Sequence, residues 1–510
     1  MFEVNGAVVA GWFGLDGVEI VALEREADGS GSVHVMTVPG AVACCPDCGV
    51  SSGRVKEFGG QRLAHLVVAP MTVTWHKSRF YCENDGCGRA SFTEAGPVAA
   101  RSGRVSMAGR ETIGRLCGDW LVPVSRVAGA AGVAWHTAHD AFVGVAEAAG
   151  IVVTDPAAAL EAVPPVETAT PATPVEPAGQ EGPADGAAAA GGLQRAAPAA
   201  GRSVSGPLPP VGVLGLDDHR RGRARYHFDP VTRRWVEDAD RWQSVFVDSS
   251  GSHSLLGQVE GRTAAVTASW IITRPDWWRA NIWAITIDMS TIYKSTARGA
   301  LPHALLAVDP FHAILAANRM IGNVRCRVTV ERHGRRGRAD DPEYKIRNLL
   351  VRNAESLSEA ARGRLLCTLA DLGDAGRELA AAHKAKELLR AVFALAPTHT
   401  GRPTSRAAIS NALTRFFTHC ATVGETVPEV AILAETISTW REEIGNAVLH
   451  GLSNATAEGV NRLIKVVYRL AFGLTNVTNQ QRRARYAASR RTRLIWLRTA
   501  TPNQPHPATA

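Results

Sequence analysis

Long apolar stretches are missing from this chain. Nowhere in its 510 residues do apolar side chains run on for the 18 or so positions that a bilayer-crossing helix requires, so no membrane partner is expected. A basic leader is missing too: the first residues place an acid at Glu3, and no signal peptide is expected. Aromatics make up 6% of the residues, and none occurs from Val143 to Arg225. Between Asp155 and Pro210 the composition shifts to Ala, Pro, Gly, Thr and Glu. Such a segment cannot bury enough apolar surface to offset the entropy lost on ordering, so residues 153–210 are expected to be a disordered linker. Acids are absent from the C-terminal stretch that holds Arg482, Arg483, Arg485, Arg490, Arg491, Arg493 and Arg498. No internal repeat is found.

What is present is a basic, multidomain chain. The formal charge is +8 and the pI about 9.2, a balance that suits a polyanionic partner. Four arginines crowd Arg332–Arg338, and arginine pairs well with phosphate oxygens. Of nine cysteines, four fall in two short-spaced pairs, Cys45-Pro-Asp-Cys48 and Cys82 with Cys87. Val67–Trp75 and Lys77–Tyr81 read as strands between them. Paired cysteines around such a segment indicate a structural zinc site. With no export signal they also indicate a reducing compartment, the cytoplasm. Cys44 competes with Cys45 as a ligand. Cys117, Cys326, Cys367 and Cys420 are expected to be buried thiols.

Three acids stand out for their setting. The apolar run Val211–Leu216 ends at Asp217-Asp218, and Ile282–Ile287 ends at Asp288. Short β-branched runs read as buried strands, and a carboxylate at the mouth of such a strand does not serve packing. Glu458, Asn461 and Lys465 share one face of a helix predicted from Ser453 onward. Three carboxylates drawn from distant parts of a chain suit hard oxygen-seeking ions such as magnesium. Two such ions about 3.5–4 Å apart can drive in-line phosphoryl transfer. The gap from Asp288 to Glu458 is too long for a loop. Its caps and Ala, Leu, Lys and Glu content predict helices, starting at Asp341-Pro342, at a Ser356–Glu359 capping box, at Arg377–Leu395, near Ser405–Cys420 and at Pro428–His450.

The chain resembles bacterial insertion-sequence transposases of the DDE class, in the ISL-three group. The resemblance is carried by Leu214–His219, Ile287-Asp288-Met289 with Tyr293, Val308-Asp309-Pro310-Phe311-His312, and Ser453-Asn454 through Glu458 to Asn461. It implies an RNase H-like core interrupted by an all-helical insertion. It also implies that Asp217, Asp288 and Glu458 are the catalytic triad, holding two magnesium or manganese ions. Asp309 and His312 follow the second aspartate as in related transposases, and are expected beside the active site in a structural role. Asn461 and Lys465 are expected there as well. The resemblance and the two-residue spacing favour Cys45 over Cys44, giving Cys45, Cys48, Cys82 and Cys87 as ligands of one zinc.

Helices expected at Arg110–Leu121, Ser125–Ala131 and Trp135–Ala148, with a turn at Gly132-Val133-Ala134, have the helix-turn-helix arrangement. Trp135, His136, Thr137 and His139 would then face bases, and Arg482, Arg483 and Arg485 would meet phosphates. The expected fold is an α/β RNase H-like core with an all-helical insertion, preceded by a zinc ribbon and a helix-turn-helix domain. Its parts are a zinc-ribbon region (1–100), the helix-turn-helix (101–152), the linker (153–210), the first part of the core (211–325), the insertion (326–449), the helix bearing Glu458 (450–480) and an arginine-rich tail (481–510). Arg225–Gln243 looks like extra sequence ahead of a strand at Ser244–Asp248. The expected function is binding of the terminal inverted repeats of an insertion sequence, cleavage of its ends, and joining of the 3′-hydroxyls to target DNA. The partners would be double-stranded DNA and further copies of the chain, in a dimer or larger assembly at the nucleoid. A non-catalytic DNA-binding descendant and a metal nuclease that cuts without joining are the alternatives.

Overall fold

A computed structural model describes residues 6–491, except 152–207 and positions 26, 28, 39–41, 68, 97, 101–102, 224, 238–240, 473 and 475. The linker expected up to residue 207, and Arg493 and Arg498, lie outside the described residues. Two compact units result, one from residues 6–151 and 463–491, the other from 208–462. Among the described residues, no helix is long and apolar enough to cross a membrane.

After a short helix, Gly6–Trp12, the first unit forms a sheet in the order Val18–Arg25, Gly31–Thr37, Pro70–Tyr81, Val55–Leu66, with Ser91–Thr93 also paired to Pro70–Tyr81. The strands expected at Val67–Trp75 and Lys77–Tyr81 are one strand, and the preceding Val55–Leu66 is its hairpin partner. The apparent break at His76-Lys77 does not interrupt it. Lys77 is buried on the face that carries Val73 and Trp75, and its Nζ sits 4.0 Å above the Trp75 ring. Three helices follow, α1 (Met107–Gly118), α2 (Val124–Ala131) and α3 (Trp135–Ala148). Ser106 caps α1 by accepting from Gly109 N, and Gly132, at φ 64°, ends α2. Ile113, Cys117, Val127, Ala138, Phe142 and Ala146 form their common core.

The second unit is built on a five-stranded sheet of β1 (Val213–Arg220), β2 (Trp242–Asp248), β3 (Leu255–Glu260), β4 (Ala284–Ile287) and β5 (Leu305–Val308), in the order β3-β2-β1-β4-β5. β2 is antiparallel to both neighbours, whereas β1, β4 and β5 are mutually parallel. The helices α4 (Ala264–Ile272) and α5 (Thr291–Ala300) accompany it. The extra sequence before β2 forms a hairpin, Tyr226–Asp229 with Arg234–Glu237.

From Pro310 to Leu470 all described elements are helical: α6 (Pro310–His333), α7 (Glu359–Asp371), α8 (Asp374–Phe393), α9 (Arg406–Val423), α10 (Pro428–Thr439), α11 (Arg441–His450) and α12 (Ala455–Leu470), with short turns between. The boundary expected at 325/326 falls inside α6. One apolar core runs without a break from β1 and β4 to Val448 on α11, so the helices share the core of the sheet. The cap of α7 is Ser358, which accepts from Ala361 N at 3.3 Å, two residues beyond the expected Ser356. Pro428–His450 breaks at Trp440, the junction of α10 and α11. Arg327 staples α6 to its neighbours, with Nε 2.8 Å from Glu429 and Nη2 2.7 Å from Glu378. Cys117 and Cys420 are buried as expected, but Cys326 and Cys367 are exposed, because they fall on helix faces turned to water.

The arginine-rich tail requires the largest correction. Residues 477–488 form α13 (Val477–Ala488) in the first unit. Tyr486 enters the core of α1–α3 and meets Phe142 edge to face at 5.5 Å. A Cβ on Gly118 would lie 2.4 Å from the Tyr486 ring, so only glycine allows that approach. Arg483 and Arg485 are buried, at 3% and 5% exposure. Arg483 donates to the carbonyls of Cys117 and Val122, and Arg485 to that of Ile151. They therefore close helix ends and do not face DNA. Arg482 is half-buried against Asn479. Replacing Arg483 with alanine orphans two buried carbonyls, and is expected to lower stability by about 2–3 kcal/mol, read as a shift of the urea midpoint of the transition that reports on this unit.

Candidate active site

β1 and β4 are adjacent and parallel, and their apolar residues are buried on both faces. Both run toward the same edge of the sheet, where β1 carries Asp217-Asp218 and β4 ends at Asp288. The segment leading into α12 crosses these strands. Asn454, 1% exposed, donates to the Leu216 carbonyl at 2.9 Å and to Asp288 Oδ1 at 3.1 Å, and accepts from Thr286 Oγ1 at 3.1 Å. Gly215 makes room for it: a Cβ there would come within 3.3 Å of Asn454 Oδ1 and 2.5 Å of Ser249 Oγ. Two turns further along, Asn461, 3% exposed, donates to Asp217 Oδ2 at 2.6 Å and to the Asp218 carbonyl at 3.2 Å. Each aspartate is thus held by one asparagine amide.

Glu458 lies between the two asparagines on this stripe of the helix. Its carboxylate does not join the aspartates. It pairs with Arg462 at 2.6 Å and is 42% exposed. The three carboxylates expected to share metal ions are therefore not gathered within one coordination sphere: Asp217 and Asp288 are assembled, and Glu458 is turned to solvent. The tightest cluster at this edge is instead Asp288, Asp309 and His312, with ligand atoms all within 4.8 Å of one another. Asp309 follows β5 and caps α6 by accepting from Phe311 N. His312 reaches Asp288 Oδ2 from Nε2 at 3.2 Å and Asp309 Oδ2 from Nδ1 at 3.6 Å. Lys465 is exposed.

Two groups at this edge escaped the sequence reading. Asn454 precedes a helix, where asparagine ordinarily reads as a cap, and nothing in the sequence marks it as reaching two strands. Tyr293, 2% exposed on α5, donates to Asp218 Oδ2 at 3.0 Å. The places of Asn454 and Tyr293 in the resemblance were the signals available for them.

Burial and mutual repulsion set the electrostatics. Asp217 is pushed up to about 7, first by burial and then by the charge of Asp288. Burial likewise raises Asp288, against the pull of His312 and the Asn454 hydrogen bond. His312 is raised, mainly by its bond to Asp309. Two buried carboxylates with too little positive charge nearby fit a divalent cation, which would bring their proton affinity down.

The four expected zinc ligands also come together. Sγ atoms of Cys45 and Cys87 are 3.9 Å apart, those of Cys48 and Cys82 3.7 Å, and all four lie within 4.8 Å. Cys44 is exposed, whereas Cys45 is buried. The first knuckle turns at Gly49, at φ 72°, beside the short strand pair Ala43–Cys44 and Ser51–Ser52. Four thiols so placed could hold zinc in a closed tetrahedral site.

Of the side chains expected to face bases, His139 is 8% exposed and stacks on Trp135 with ring centroids 4.9 Å apart, and burial lowers its proton affinity. It packs inside the helix bundle and does not face outward. Trp135 and His136 are exposed and Thr137 is half-buried. The arginine cluster at 332–338 is partly neutralised within its own unit, Arg335 by Asp341 at 2.8 Å and Arg332 by Glu343.

Two outcomes follow. A carboxyl whose folded pKa is raised binds more protons folded than unfolded, so stability falls as pH rises from the ordinary value of 3.8 toward about 7. Metal-free protein should melt at lower temperature at pH 8 than at pH 5, Asp217→Asn should remove much of that difference, and added magnesium should reduce it in the wild type. Separately, Cys48→Ser is expected to abolish the bound zinc found by elemental analysis of protein purified without chelator, about one ion per chain.

Residues 232–484 match the family model for the ISL-three group of DDE transposases, described as a transposase. The match begins after Asp217, and takes in Asp288, Asp309, His312, Asn454, Glu458 and Asn461. No curated protein matches the chain. Over this stretch, just under half of its length, the chain is similar to the ISL-three family of DDE transposases.

Proposed function

We propose that this chain is a transposase that binds the terminal inverted repeats of its own insertion sequence, hydrolyses the strands at those ends and joins the resulting 3′-hydroxyls to target DNA. The observation that carries the reading is the pair of aspartates on adjacent parallel strands, Asp217 within β1 just past its pairing with β4 and Asp288 immediately after β4, each held by an asparagine from the segment that bears Glu458. The sheet order β3-β2-β1-β4-β5, with β2 alone antiparallel to its neighbours, supports an RNase H-like core. The paired helices α2 and α3, turning at Gly132, support a helix-turn-helix, with Trp135, His136 and Thr137 as the remaining base-facing candidates.

Asp217, Asp288 and Glu458 would hold two magnesium or manganese ions, which supply the activation of the attacking oxygen and the stabilisation of the leaving one. The chain's own residues prepare that site. Asn461 and Asn454 each occupy one oxygen of an aspartate and fix how it is turned. His312 bridges Asp288 and Asp309, and in its protonated form screens their repulsion. Glu458 must exchange Arg462 for the aspartates, a side-chain rotation about a helix position that already faces them. Coordinated handling of two DNA ends calls for a dimer or larger assembly.

Glu458→Gln should reduce cleavage of end-sequence DNA in magnesium by at least about a hundred-fold, while an electrophoretic shift shows end binding intact. Full cleavage by this variant would remove Glu458 from the mechanism. In the wild type, binding without cleavage would identify a non-catalytic descendant, and cleavage without joined product a nuclease.

A further inference from the structure

The hairpin joining β1 to β2 carries a surface that neither packing nor the aspartates account for. Phe228 and Trp235 are direct cross-strand partners, and their rings meet edge to face at 5.8 Å. Strand alternation puts Tyr226 on the same face. Trp235 is 71% exposed, Tyr226 53% and Phe228 48%. Single exposed apolar residues are ordinary, but several contiguous ones mark a binding surface.

The charges around the rings specify the partner. From Arg220 to Arg241 the chain has seven arginines and four acids. One acid, Asp229, is used inside the turn, where it accepts from Val231 N and Thr232 Oγ1. Arg223, Arg225, Arg233 and Arg234 are exposed. At the root, the guanidinium groups of Arg220 and Arg262 lie 4.9 Å and 4.0 Å from the Trp242 ring. Aromatic faces interleaved with guanidinium groups are what unpaired nucleotides require, bases stacking on rings and phosphates meeting arginines. A paired duplex hides its base faces and offers only the phosphates.

The position suits that partner. β1 and β2 are paired out to Arg220 and Trp242. The hairpin therefore leaves the sheet at the edge where Asp217 and Asp288 emerge, about 10 Å along β1 from Asp217. We infer that this hairpin is a stacking platform for unpaired nucleotides of the DNA strand being cut, with Trp235, Phe228 and Tyr226 taking bases and Arg233 and Arg234 the flanking phosphates. The inference rests on the transposase reading and specifies the form of DNA that its site holds.

The test is binding by the full-length chain, without divalent metal, at one salt concentration. The labelled probes are a paired duplex, the same duplex with a short central mismatched bubble, and an oligothymidylate. The Phe228→Ala/Trp235→Ala variant should bind the bubble and the single strand roughly ten-fold more weakly and the paired duplex unchanged. Trp235→Phe should keep most of the affinity. Arg233→Ala/Arg234→Ala should weaken all three probes and flatten their salt dependence. Equal effects of the aromatic variant on all probes, or none, would overturn the proposal. So would a change confined to oligomeric state by light scattering, which would assign the face to contacts between copies. The replaced side chains are exposed, so unchanged melting is expected and is checked alongside. Because no cleavage step enters, the outcome is separate from that of Glu458→Gln. A catalytically dead chain can still show the platform, and an active one can lack it.

Discussion

The side-chain amide of Asn454 ties the candidate site together, since it bonds at once to the backbone of β1, to Thr286 on β4 and to the carboxylate of Asp288. A buried amide leaves little freedom of placement, because each donor or acceptor left without a partner there carries a desolvation cost. Satisfying it fixes where α12 begins against the sheet. Once that point is fixed, helix periodicity places Asn461 on Asp217 and Glu458 between them. The glycine at 215 is the concession the strand makes, giving up a side chain so that the amide can lie flat against it.

The same edge is electrostatically unfinished. Burial raises both aspartates, and His312, whose proton affinity is raised, lies against Asp288 and is shared with Asp309. Glu458 meanwhile takes the nearest arginine. Two carboxylates are oriented at this edge, and Glu458 is paired away from them. The strongly paired charges elsewhere have a different character. Arg327, with Glu378 and Glu429, joins helices far apart in sequence, and Arg483 and Arg485 donate to backbone carbonyls. Arginine serves in this protein as an internal fastener as much as a surface charge.

Much of the candidate site was legible. An apolar β-branched run followed by aspartate located β1 and β4, although β1 continues through Asp217-Asp218 to Arg220, where its pairing with β2 outlasts its pairing with β4. Cysteine spacing located the four-thiol cluster, because a tetrahedral site constrains short loops. Helix positions in the long gap followed from caps and composition, to within a few residues. Other features were not legible, for definite reasons. Nothing local distinguishes an arginine that reaches phosphate from one that reaches a carbonyl, so Arg483 and Arg485 read as tail. His139 read as outward because it opens a helix, yet Trp135 four residues earlier covers it. Val67–Trp75 and Lys77–Tyr81 read as two strands parted at His76, yet pairing runs through His76, and Lys77 continues the buried face above the Trp75 ring.

The sequence by itself determined which chemistry is available: acids at strand ends, thiols at knuckle spacing, a surplus of arginine, and the motifs shared with the family. Those are properties of residue type and local order, and they survive whatever the chain does next. Only the tertiary structure decided which of these groups meet. Asp217 and Asp288 come together because their strands pair in parallel, whereas Glu458 is held off by an arginine one helical turn away, a contest between neighbours that spacing alone does not resolve. The aromatic hairpin shows the same division. Its residues were visible as extra sequence, but that they form a ribbon with rings in water, at the edge where the aspartates emerge, follows from strand pairing across β1 and β2.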